Sequence, residues 1–214
     1  MSQIRTALML CGSPKGAQGT SWRLGAYLCD RLEAAGVAVR RRTLAPEATL
    51  LEDVRAADLL LLVFPLYADG VPARMKRALM AIAAAGLKPR TVAALANCGF
   101  LESGHNDTAL EICRLFARDA GFTWLGGLGR GGGGALGKRE LAAAGGLFTK
   151  TRRSLDLAAD ALAEGRPIPA EAVALMREDL MPRWLYMAFA NVGHYIEGAK
   201  HGLGLRMRED PFEK

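Results

Sequence analysis

The chain has 214 residues, half of them hydrophobic and 23% charged, enough for one domain with a sizeable core and too few for two large ones. This balance excludes a disordered or collagen-like chain, and no apolar run approaches the ~20 residues that span a bilayer. The formal charge of +6 suits an anionic ligand. The excess is mostly dispersed arginine without interleaved aromatics, so a bound phosphate is expected rather than a nucleic acid. Met1-Ser2-Gln3-Ile4-Arg5 leads into a short apolar run and a turn, not a secretory signal, and a cytoplasmic chain is expected. Cysteines 11, 29, 98 and 113 form no Cys-x-x-Cys and neighbour no histidine, which fits reduced thiols and not a zinc site.

Ile4 to Cys11 is a continuous apolar run ended by Gly-Ser-Pro, as expected of a strand buried on both faces. From Thr20, Leu24, Tyr27, Leu28, Leu32 and Ala35 recur at helical spacing, and Gly36 closes the helix. Val37 to Leu44 alternates apolar residues with arginine like a half-buried edge strand. Glu52 to Ala57 predicts a short helix, and Asp58 to Phe64 a central strand. Val71, Met75, Leu79 and Ile82 form one helical stripe, with Pro72 in its first turn and Gly86 past its end. Arg90 to Ala96 is a further strand, and 97–107 a loop. Thr108 and Glu111 form a capping box for a helix that turns Leu110, Cys113, Ala117 and Ala120 inward. Phe122 to Leu128 is the fifth strand, leading into the glycine-rich segment 129–134. Past residue 147 the pattern is helical only, over 149–164, 170–180 and 183–201.

Five strands alternating with helices predict an α/β fold, a parallel sheet covered on both faces. Such sheets bind ligands outside the carboxyl ends of their strands. Three loops there carry unusual residues. Gly12-Ser-Pro-Lys-Gly-Ala-Gln-Gly-Thr-Ser21 joins a strand to a helix N-terminus and gathers hydroxyls, a lysine and free amides, a pattern suited to a phosphate monoester. Pro65-Leu-Tyr-Ala-Asp-Gly70 offers an aromatic wall and main-chain groups to a flat heteroaromatic ligand, although Asp69 also reads as a cap of the next helix. Asn97-Cys-Gly-Phe100 repeats that offer, with Cys98 read as a packing residue because no histidine stands beside it. Two glycine patterns mislead. Gly132 to Arg139 approaches a nucleotide-triphosphate loop but puts Arg139 where a hydroxyl must be. Gly127-Leu-Gly-Arg-Gly-Gly132 fits a dinucleotide fingerprint yet opens no clear helix.

Gly12-Ser-Pro-Lys with Gly19-Thr-Ser21, then Pro65-Leu-Tyr67 and Ala94-Leu-Ala-Asn-Cys-Gly-Phe100, together resemble the NAD(P)H-dependent FMN reductases, flavodoxin-like flavoproteins, over residues 4–134. The resemblance implies a sheet of order 2-1-3-4-5. It implies that Ser13, Lys15, Thr20 and Ser21 hold the FMN phosphate. Pro65, Leu66, Tyr67, Ala68, Asp69 and Gly70 would then line the isoalloxazine ring with Asn97, Cys98, Gly99 and Phe100. Residues 1–146 would be the FMN-binding domain, and 147–214 a helical extension packed on it or at a homodimer interface. The implied activity is hydride transfer from NADH or NADPH through FMN to a small acceptor. A basic chain favours such an enzyme over an acidic electron carrier, although a flavodoxin-like carrier or redox-sensing module is the alternative. A phosphate-binding hydrolase lacks a credible base or nucleophile near the first loop.

The remaining candidates are weaker. Arg40, Arg41 and Arg42 lie at the sheet edge, solvated or facing a 2′-phosphate. Leu185, Ala188, Phe189, Val192, Ile196 and Ala199 form an apolar helical face, with Trp184 and Tyr195 beside it, that expects a cover. His194, Glu197 and His201 share one side of that helix, which suits a metal or a solvated polar face. His105 is the histidine nearest the expected flavin site.

Overall fold

The computed structural model describes residues 3–44, 47–87 and 91–203. The order is β1 (Thr6–Cys11), α1 (Thr20–Ala34), β2 (Ala38–Thr43), α2 (Glu47–Ala56), β3 (Leu59–Pro65), α3 (Ala73–Ala84), β4 (Thr91–Asn97), α4 (Asp107–Asp119), β5 (Thr123–Arg130), α5 (Thr149–Ala163), α6 (Ala170–Arg177) and α7 (Arg183–Lys200). The five strands form one parallel sheet of order β2-β1-β3-β4-β5.

The strands lack a one-sided polar pattern because the sheet is covered twice. Successive residues point to opposite faces. Leu59, Leu61 and Val63 join Met9, Leu24, Leu28, Leu155 and Leu162 on the side of α1 and α5. Leu60, Leu62 and Phe64 join Val54, Met75, Leu79 and Cys113 on the side of α2, α3 and α4. Each such leucine contributes about 1.5–3 kcal/mol on burial. Edge strand β2 splits its arginines between the faces. Arg40 and Arg42 both pair with the buried carboxylate of Asp53, and Arg41 reaches Asp30 at 2.7 Å and Glu33 at 2.5 Å. All three guanidiniums are therefore engaged within the chain.

Several expected boundaries move. Helix α2 starts five residues earlier than Glu52. Helix α4 starts at Asp107 with Asn106 as its N-cap and no side-chain cap bond, and Glu111 pairs with Arg114 at 2.6 Å. Thr108 is therefore two residues past the N-cap, within the first turn, and forms no capping box with Glu111. Strand β5 runs on to Arg130, which places the first four residues of the dinucleotide-like glycine pattern inside a strand. Arg90, predicted to open β4, lies outside the described residues.

The chain divides into two compact units, residues 1–180 and 181–214. Helices α5 and α6 belong to the first. Ile4 N–H donates to the carbonyl of Ala163 (3.0 Å), and Ile168 N–H to that of Leu125 (2.7 Å). Tyr27 Oη donates to Asp156 at 3.0 Å. The second unit contains α7, where Glu197 Oε2 accepts from Lys200 Nζ at 2.9 Å and Glu197 Oε1 lies 3.5 Å from His201 Nε2. No helix among the described residues is long and apolar enough to cross a membrane.

Candidate functional site

The parallel strands deliver three loops to one end of the sheet, past the carboxyl ends of β1, β3 and β4. The first is folded by its own main chain. Gly12 N–H bonds the carbonyl of Val63 at 2.8 Å, Gly16 N–H that of Ser13 at 3.0 Å, and Gly19 N–H that of Gly16 at 3.2 Å. Gly16 sits at φ +53°, a left-handed conformation that glycine adopts without a Cβ clash. A Cβ on Gly19 would lie 2.6 Å from Ser13 Oγ, so this glycine lets the loop close on the serine.

Gly19 is also the N-cap of α1, and no side chain caps the helix. The amides of Thr20, Ser21 and Trp22 therefore lie ahead of any acceptor within the helix, where the dipole favours an anion. Ser13 Oγ accepts from Lys15 N–H at 3.3 Å, which leaves its own proton to give, and Lys15 is exposed. Thr20 and Ser21 differ. Thr20 Oγ1 donates to the carbonyl of Gly133 at 3.2 Å, and Ser21 Oγ to buried Asn97 Oδ1 at 2.6 Å. Each hydroxyl has one proton, so in this arrangement both residues meet an anion through backbone N–H groups. Their side chains instead tie α1 to β4 and to the segment after β5.

The second loop folds back at Tyr67 and Gly70, which exchange two main-chain hydrogen bonds of 3.2 and 3.1 Å. Between them Ala68 and Asp69 stand at φ +47° and +53°. Two successive residues there form a type I′ turn, and for non-glycine residues each costs about 1–2 kcal/mol. Strain of this kind concentrates at ligand clamps. Leu66 N–H bonds the Asn97 carbonyl at 2.9 Å, anchoring the turn to β4. Asp69 does not cap α3, whose N-cap is Pro72. Its carboxylate lies 3.9 Å from His105 Nδ1.

His105 stacks on Phe100 with centroids 4.3 Å apart, so the second and third loops meet through Asp69, His105 and Phe100. Tyr67 and Phe100 leave 51% and 58% of their surface exposed. The third loop is held from behind by Cys98 N–H to the Arg130 carbonyl (3.0 Å) and Gly133 N–H to the Cys98 carbonyl (2.9 Å). Burial raises the Cys98 thiol above its ordinary pKa against the hydrogen bond from Asn106, so Cys98 stays protonated near neutrality.

Arg130 escaped the sequence reading, which ended its strand at Leu128. It is the largest fully buried side chain. The available signal was a charged residue terminating an apolar strand at the ligand-bearing end. Among the described residues no group of three or more His, Cys, Asp or Glu is placed to hold a metal ion.

The order and the placement of these loops can be set against solved structures. An FMN-dependent NADH-azoreductase from Bacillus anthracis, in complex with FMN, superposes with a TM-score of 0.56 at 11% identity, over 74% of this chain and 99% of its own. The fold is flavodoxin-like. The Trp repressor binding protein from Bacillus subtilis gives 0.51 at 12% identity, over 61% and 90%. A rubredoxin oxygen:oxidoreductase from Desulfovibrio gigas gives 0.49 at 10% identity over 58% of this chain, which spans 29% of that longer protein. No protein-family model and no curated protein sequence matches the chain. Helix α6 packs on α5 and β5 within the first unit.

Proposed function

We propose that the chain binds FMN noncovalently and acts as an oxidoreductase that takes hydride from NADH or NADPH and reduces a small acceptor such as a quinone, a nitro or azo compound, or a free flavin. The observation that carries this reading is the pairing of an uncapped helix N-terminus, closed on Ser13 and Lys15, with two neighbouring loops that hold exposed aromatic rings. A phosphate fits the first and a flat heteroaromatic ring the second.

FMN would supply the electron chemistry when bound. The chain's part is to hold and orient. Ser13 Oγ, Lys15 Nζ and the amides of Thr20, Ser21 and Trp22 would take the phosphate. Pro65 to Gly70 and Asn97 to Phe100 would wall the ring, with Tyr67 and Phe100 shielding it from water. Asn97 keeps Ser21, and so the start of α1, in register with that wall. This division of labour requires no acid–base pair from the protein, and the positive charge favours anionic nicotinamide nucleotides. The same reading makes the protein a cytoplasmic homodimer, with the apolar stripe of α7 as the surface offered for association.

The test is the visible spectrum of the purified protein with added FMN, followed by steady-state oxidation of NADH and NADPH with a quinone present. A perturbed flavin spectrum and turnover with either nucleotide support the proposal. A colourless protein that leaves the FMN spectrum unchanged overturns it. A flavin-loaded protein that oxidises neither nucleotide without a separate reductase identifies a carrier.

A further inference from the structure

At the end of β5, on the side of α5 and α6, a cavity of about 160 Å³ lies between Arg130, the first turn of α5 and the residues that follow α6. Its deep wall is cationic. Arg130 is 1% exposed, and the hydrogen bonds of its guanidinium run to main-chain carbonyls, Nε to Gly131 at 2.6 Å and Nη2 to Glu178 at 2.7 Å. Among the described residues no carboxylate lies within ion-pair distance of it. A guanidinium has five N–H donors, and a buried cation without a directly bonded counter-ion is costly. Burial accordingly lowers the Arg130 pKa, with Asp179 and Glu178 acting on it only through space.

The other deep wall is Thr151, in the first turn of the 15-residue helix α5. Thr151 is fully buried, its Oγ1 has no hydrogen-bond partner, and it lines the cavity. The helix dipole places positive potential at the same turn. The acidic groups stand further out. Glu178 pairs with Lys150 across the exposed mouth, with 46% and 61% of their side chains exposed, and Asp179 is also exposed. A buried cation, an orphaned hydroxyl and a helix N-terminus thus share one small space, and a single water is too small to fill it.

We propose that this cavity binds a small oxyanion, a phosphate, sulfate or carboxylate group, between the Arg130 guanidinium, the Thr151 hydroxyl and the N-terminal turn of α5. The volume admits one such group with a few waters and excludes a nucleotide. The site uses none of the residues assigned to the flavin, so it stands or falls separately from the proposed function.

The experiment compares thermal unfolding of the wild-type chain, Thr151→Val and Lys15→Ala in phosphate, sulfate and acetate at constant ionic strength. Thr151→Val keeps the side-chain shape and removes the hydroxyl, whereas Lys15→Ala weakens only the first loop. The expected result is a saturable rise in Tm that survives in Lys15→Ala and needs about tenfold more anion in Thr151→Val. A rise with acetate as well marks a carboxylate-accepting site, and a rise with phosphate and sulfate alone a tetrahedral one; both support the proposal. It is overturned by no rise, by equal rises in all three proteins, or by a rise lost in Lys15→Ala and kept in Thr151→Val. Crystals soaked in selenate give a second readout. An anomalous peak between Arg130 and Thr151 supports the site, and a peak confined to residues 12–21, or ordered water alone, refutes it.

Discussion

The N-termini of α1 and α5 make contrasting use of the same helix-end physics. At α1 the loop is glycine-rich and partly open, its charged donor is exposed Lys15, and its buried hydroxyl, Ser21, is satisfied by Asn97. At α5 the charged donor is buried Arg130, and the buried hydroxyl, Thr151, has no partner. An open loop suits a ligand that comes and goes, whereas a buried cation beside an orphaned donor would make one small anion part of the local structure. Glycine-rich local backbone would thus build one of the two proposed anion sites, and long-range packing the other.

The residue between the two regions is expected to matter to both. Gly131 follows Arg130, and a Cβ there would lie 2.0 Å from the Leu101 carbonyl oxygen, a backbone atom with little room to move. Gly131→Ala is expected to cost about 3 kcal/mol of stability, measured by denaturant unfolding. It should loosen both regions at once, since Gly131 O accepts from Arg130 and its neighbours hold the third loop. Loss at one region only would show that the two are not joined through this segment.

The paired hydroxyls sharpen the contrast at smaller cost. Ser21→Ala leaves Asn97 Oδ1 buried without its donor and is expected to lose about 1–2 kcal/mol of stability. Thr151→Val removes an unpartnered buried hydroxyl and should leave stability unchanged or raise it by about 1 kcal/mol in anion-free buffer. Equal losses would mean that Thr151 already has a partner in solution.

A last effect, absent near neutral pH, concerns thiols remote from both sites. Burial pushes Cys29 and Cys113 up from 9.0 to about 12. The folded state then holds protons that the unfolded chain releases above pH 9, so stability is level below that pH and falls as pH rises toward 12. Replacing Cys113 by alanine should flatten this alkaline slope in a urea-unfolding series, and an unchanged slope would assign it to other groups.

The α1 region was legible because its chemistry is local. Residues 12–21 carry the turn glycines, hydroxyls and lysine in a single stretch, and the alternation of apolar strands with amphipathic helices was enough to predict the parallel sheet, while its order followed only from the resemblance to the FMN reductases. The Ser21–Asn97 bond was not legible, since it spans 76 residues and depends on β4 lying beside the start of α1. The α5 cavity was still less so. Residues 130, 150–151 and 178–180 converge only after β5, α5 and α6 have packed, and nothing in their spacing announces it. Capping at α4 was misread because Thr108 matches a pattern that Asn106, two residues earlier, supplanted through backbone geometry.

The central claim, that the amides at the start of α1 grip the phosphate of a flavin mononucleotide, is tested most directly by comparing FMN with riboflavin, which lacks the phosphate, in fluorescence-quenching titrations. FMN is expected to bind about 100-fold more tightly or better, with most of the difference lost when Ser13 and Lys15 are both replaced by alanine. Equal affinity for the two flavins, or a preference untouched by that double replacement, would contradict it.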